Sequence, residues 1–149
     1  MAVTLTEICD GIEAELSTAA GMQSSTSYDE MTEGIPAMDC PRVEVYPESG
    51  NSIPLGGTDR TTFTACTQQV RVTIHADLYA RQRSQLGEDV AAYVELTDAI
   101  IDVLQSQERP PFFGVAGIKA FNWGWRKAVF RRADARFVGA RFVINCKIY

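Results

Sequence analysis

ARFVGARFVINCKIY, residues 135–149, alternates for almost its whole length. Val138, Ala140, Phe142, Ile144, Cys146 and Ile148 fall on one side, and Phe137, Gly139, Arg141, Val143, Asn145, Lys147 and Tyr149 on the other. A repeat of two is the signature of a pleated strand with one buried face; a helix would repeat every 3.6 residues. Residues 118–130 also read as a strand, carrying Phe121, Trp123 and Trp125, and residues 131–135 are expected to turn the chain between the two. The pair predicts a β-hairpin.

Working upstream, residues 88–107 place Val90, Tyr93, Val94, Thr97, Ile100, Ile101 and Leu104 on one helical stripe, closed by Pro110 and Pro111. Glu88, Asp89, Glu95, Asp98 and Asp102 fit that helix's solvated side. Residues 64–79 read as a long strand, with Val70, Val72, Ile74, Ala76 and Leu78 inward and Arg71, Thr73, His75, Asp77 and Tyr79 outward. Residues 42–46 form a short strand stopped by Pro47, and residues 49–58, rich in glycine, read as a connection that is mobile until a partner orders it. Thr4-Leu5-Thr6-Glu7 is a capping box. It opens a helix with Leu5, Ile8, Cys9, Ile12, Leu16 and Ala19 on one face and Gly21 as its stop. Residues 22–41 read as a loop with at most one helical turn.

The order is therefore α-β-β-α-β-β. It predicts one α+β domain over residues 1–149, a mostly antiparallel sheet of about four strands with both amphipathic helices packed on one face. Length and composition agree: 149 residues, 46% hydrophobic and 22% charged, suit a single globular core. No apolar run approaches the ~18 residues of a membrane span. The acidic N-terminus reads as neither a signal nor a transit peptide, so the expected compartment is the cytosol of the producing cell. Cys9, Cys40, Cys66 and Cys146 are scattered without zinc or redox spacing and read as small hydrophobes.

Charge is divided unevenly. Residues 1–60 hold two basic side chains and eleven acids, a balance of −9, whereas residues 109–149 hold nine basic side chains and one acid, a balance of +8. Such a chain suits contact with copies of itself or with an acidic partner. Catalytic, metal and cofactor sites are not expected. His75 stands alone as the sole histidine and lacks the nucleophile of a triad. Gly56-Gly57 is not followed by the Lys of a phosphate loop. The one constellation above background is FNWGWRKAVFRRADARF, residues 121–137, whose aromatic and arginine side chains are types enriched at protein interfaces. The candidate interface residues are Trp123, Trp125, Arg126, Phe130, Arg131, Arg132 and Arg136. Stacking and neutralising a single-stranded nucleic acid is an alternative use of the same types. A third reading makes Phe121, Trp123 and Trp125 sheet cover with solvated arginines around them.

Taken together, the acidic opening helix, PRVEVYPE at 41–48, QQVRVTIHADLYAR at 68–81 running into a helix, and the closing ARFVGARFVINCKIY resemble the tail terminator proteins of long-tailed bacteriophages, also called minor tail or tail completion proteins. The resemblance covers nearly the whole chain and is one of order and character, without an invariant signature. It implies a structural virion protein, a homo-hexameric ring on the head-proximal end of the tail. That ring stops tail tube polymerisation, meets the tube protein on one side and a head-completion or neck protein on the other, and lets DNA through its bore. Another neck or head-closure connector subunit would share these features.

Overall fold

The computed structural model describes residues 3–31, 40–54, 68–82 and 86–148. They form α1 (Leu5–Leu16), β1 (Ser24–Ser27), β2 (Arg42–Pro54), β3 (Gln68–Gln82), α2 (Leu86–Gln105), β4 (Ile118–Arg132) and β5 (Ala135–Ile148). Single 3-10 turns follow β1 at Tyr28–Glu30 and precede β4 at Phe112–Gly114.

The capping box starts α1 as expected. The Glu7 amide donates to the Thr4 hydroxyl at 3.1 Å, and the Thr4 amide donates to the Glu7 carboxylate at 2.7 Å. The helix ends at Leu16, before Gly21. The amides of Thr18 and Ala19 bond three residues back instead of four, which tightens the chain out of the helix. Ala19 is nonetheless buried, so the apolar pattern outlasts the helix that carries it. Gly21, at φ +82°, is the residue that turns the chain toward β1.

One five-stranded sheet runs in the order β1-β2-β3-β5-β4. All neighbours are antiparallel except β1 and β2, so the sheet is mixed and gains a strand beyond the expected four. That strand, Ser-Ser-Thr-Ser, lacks the alternation that marks strands in sequence. It exists through pairing with residues 42–45 of β2 and through the Ser25 hydroxyl donating to the Glu13 carbonyl at 3.1 Å. Pro47 does not stop β2. β1 ends opposite Val45, so β2 is a sheet edge beyond that point, where a proline is tolerated, and the register shifts between Pro47 and Ser49. Residues 49–54, expected as a mobile connection, are paired with β3. Residues 55–58, Cys66 and the expected start of β3 at 64–67 lie outside the described residues.

Both helices lie on one face, as the alternation requires. Ile8, Cys9, Ile12 and Leu16 of α1 share one apolar cluster with Val43, Val45, Val72, Ile74, Leu78, Phe142, Ile144 and Ile148 of the sheet and with Leu96, Ile100 and Leu104 of α2. The buried stripe of α2 is rotated from the expected one: Leu96 is buried and Val94 is exposed. Asp89, expected in solvent, is buried with the Arg81 Nε 3.2 Å from its carboxylate.

The pairing of β3 with β5 is irregular at one point. The register of β3 on β5 shifts between Tyr79 and Arg81, and a Cβ on Gly139 would stand 1.6 Å from the Leu78 carbonyl oxygen. Only glycine admits so close a backbone approach, and a bulge beside it bends the strand. On the outer face, Arg132 of edge strand β4 reaches Glu44 of β2 across both intervening strands.

Gly139→Ala is expected to prevent folding or to cost more stability than any single core truncation. Ile74→Ala and Ile144→Ala are each expected to cost about 2–5 kcal/mol, read from urea unfolding midpoints. Losses below about 1 kcal/mol at both isoleucines would contradict the register described here.

Candidate subunit interface

Among the described residues β4 pairs with β5 alone, which makes it the edge of the described sheet. Register assigns its side chains to faces. Trp123, Trp125, Lys127 and Val129 stand opposite Ile144, Phe142, Ala140 and Val138, on the helix side. Asn122, Arg126, Phe130 and Arg132 stand opposite Asn145, Arg141, Phe137 and Ala135, on the outer side.

The outer side is a polar lattice. Glu44, Asp77, Arg141 and Arg126 occupy one row across β2, β3, β5 and β4. Asp77, although buried, is fully engaged: Arg141 donates to both carboxylate oxygens at 2.8 and 3.1 Å, and the Tyr46 hydroxyl donates at 2.8 Å. A two-pronged arginine contact of this kind is among the stronger side-chain bonds. The lattice continues to His75, whose Nδ1 lies 3.4 Å from the Tyr46 hydroxyl and 3.7 Å from the Glu48 carboxylate. The histidine expected to stand alone on the sheet surface therefore has partners. Farther along, Thr73 donates to Asn145 at 2.8 Å and Asn145 to Asn122 at 3.0 Å.

Glu44 is the other carboxylate buried on this face among the described residues. Arg132 donates to it at 2.9 Å, and the Arg42 Nε stands 3.4 Å away. Arg132 also donates to the Tyr79 hydroxyl at 3.1 Å. Phe130 leans on the Tyr79 ring at 4.6 Å between centroids, with the Arg141 guanidinium 5.6 Å from its own. Phe137 meets Tyr79 edge-on at 5.7 Å. The hairpin tip thus folds over the outer face and seals a carboxylate beneath it.

The seven candidate residues consequently divide. Phe130 and Arg132 belong to this seal. Trp123 is half-buried against the main apolar cluster. Trp125, Arg126, Arg131 and Arg136 are exposed, and the three arginines have no ion pair among the described residues. Arg131 and Arg136 face each other directly across the hairpin, a like-charged pair that is unfavourable by itself. The opposite edge of the sheet is acidic. Asp29 and Glu30, just after β1, are exposed there, and residues 1–31 contain no Lys, Arg or His. Burial lifts the Glu13 carboxyl above its usual range, and repulsion from Glu30 and Asp10 adds to the shift.

Alternation alone assigned Asp77 and His75 to the outer face. It did not reveal that Glu44 sits under Arg132, because that contact spans two intervening strands. Nor did it mark Tyr28, Asp29 and Glu30, which lie in a segment without periodicity. No family model and no curated protein matches the chain. No helix among the described residues is long and apolar enough to cross a membrane.

Arg132→Ala leaves Glu44 with Arg42 alone and is expected to cost about 2–4 kcal/mol, while Arg131→Ala stays within about 0.5 kcal/mol of the parent. Equal effects in thermal unfolding would remove the distinction between seal and surface.

A second expectation concerns alkaline pH. Burial, aided by nearby Glu44, pushes the Tyr79 hydroxyl from 10.0 up to about 12, and burial pushes the Cys9 and Cys146 thiols from 9.0 to about 12. Each pKa is higher in the folded than in the unfolded chain. The stability tied to the protonated groups is therefore complete below pH 9 and declines as pH rises toward 12. Urea midpoints should fall across that window, with a shallower slope in Tyr79→Phe. A flat profile would contradict the burial of these groups.

Proposed function

We propose that this chain is a structural virion protein whose copies form a ring on the head-proximal end of a phage tail. The observation that carries the reading is electrostatic. The two edges of one sheet bear opposite charge, acidic beside β1 and basic along β4. A subunit of that kind is suited to a head-to-tail contact repeated around an axis, because a rotation that closes leaves neither edge open. The resemblance to tail terminators supplies the number six, the tail tube protein and the head-completion or neck protein as partners, and passage of DNA through the bore without sequence-specific contact.

Arg132 and Arg141 bear on the alternative of a single-strand-binding hairpin. Both are held by carboxylates of their own subunit, which shortens the line of cations left for a phosphate backbone. A ring contact needs only the exposed Arg126, Arg131 and Arg136 beside Trp125.

The test uses tails assembled in cells with and without the protein. Without it, tubes should be uneven and overlong and should fail to join heads. Supplying the Arg126→Glu/Arg131→Glu chain should reproduce that defect, more severely at low than at high salt, since salt screens exposed charges. Tubes of normal length that join heads in the absence of the protein would overturn the reading.

A further inference from the structure

Five large apolar side chains are exposed among the described residues: Leu5 at 41%, Tyr28 at 38%, Val94 at 44%, Trp125 at 44% and Val129 at 52%. They fall into two groups. Leu5 belongs to the first turn of α1 and Tyr28 to the turn after β1, and the Thr6 and Tyr28 hydroxyls are bonded at 2.7 Å, which joins these segments. Trp125 and Val129 stand on the same side of β4 with Lys127 between them. The Lys127 ammonium lies 5.7 Å from the centroid of the Tyr93 ring, next in sequence to Val94.

Each group has a frame of one charge. Asp29 and Glu30 directly follow Tyr28, and Lys127 and Arg131 alternate with Trp125 and Val129 along one side of β4. Tyr28 follows β1 at one edge of the sheet, and Trp125 and Val129 lie on β4 at the other. Pairing β4 with β4 of a second copy would set these cations against their own kind, an arrangement that edge strands use to prevent association. The complementary surface is at the other edge.

The geometry points to a specific contact between copies: Trp125 and Val129 of one chain seat against Tyr28 and Leu5 of the next, with Lys127 and Arg131 opposite Asp29 and Glu30. This deepens the ring reading and rests on it for the closure of the chain of contacts. The apolar pair supplies the affinity and the charges set orientation, because exposed ion pairs add little by themselves.

The experiment mixes isotope-labelled and unlabelled protein in solution without tails, joins carboxylates to lysines with a carbodiimide, and reads the linked peptides by mass spectrometry. Links between labelled and unlabelled chains should join Lys127 to Asp29 or Glu30. Trp125→Ser and Tyr28→Ser should each remove them while leaving thermal unfolding unchanged. Neither the Lys127→Glu/Arg131→Glu chain nor the Asp29→Lys/Glu30→Lys chain should associate alone, and their mixture should associate, since the parent contact and its charge-swapped counterpart both pair opposite charges. Mixed-label links from Lys127 to Asp134, no mixed-label links at the highest soluble concentration, or no association on mixing would each overturn the contact. Tail length is not measured here, so failure of tail capping and failure of this contact are separate results.

Discussion

Two carboxylates, Glu44 and Asp77, are buried on the outer face of the sheet, and much of the molecule is arranged to neutralise them. A buried carboxylate without a partner is costly enough to forbid the fold, so each must meet a cation in good geometry. Asp77 finds Arg141 on a neighbouring strand in direct register. Glu44 has no basic residue directly opposite it. Its strong partner, Arg132, lies on the far edge strand and reaches it across β3 and β5, beside Gly139, where two backbones approach too closely for any side chain. Tyr79, Phe130 and Phe137 then fill the space under the hairpin tip and exclude water from the pair.

This constraint decides which part of the basic hairpin is available to other molecules. Arg132 and Arg141 are internal structural groups, and the acidic and basic halves of the chain are partly matched within one subunit. What remains outside is a narrower set: three arginines with Lys127 and Trp125 along one sheet edge, facing away from an acidic edge that carries Tyr28. The separation is a property of strand order. β5 is inserted between β3 and β4, which moves the basic strand to the margin, while β1 adds a short margin on the opposite side under the acidic helix.

Much of the fold is legible in the sequence because strong periodicity survives burial on one face. The capping box at Thr4, the alternation of β3 and β5 and the stripe of α2 around Ile100 and Leu104 appear where the pattern puts them. β1 is illegible because Ser-Ser-Thr-Ser has no pattern, and its strand conformation is conferred by pairing with β2. Pro47 misleads because its effect on a strand depends on whether the strand is an edge there. Asp89 misleads because an acid on a helix looks solvated until a cation from β3 is brought against it. In the candidate site, the aromatic and basic residue types were visible, but their division into seal and surface was not.

The sequence by itself determined the element types, the apolar faces and the unequal charge of its two ends, since these follow from local spacing and composition. Only the tertiary structure decided which charges are used inside the subunit, which edge of the sheet each charged group occupies, and that Trp125 is exposed while Trp123 packs against the core. These depend on strand order and on the pairing of distant strands, including the close approach at Gly139. Both are set by contacts between residues far apart in the chain, which no local pattern encodes.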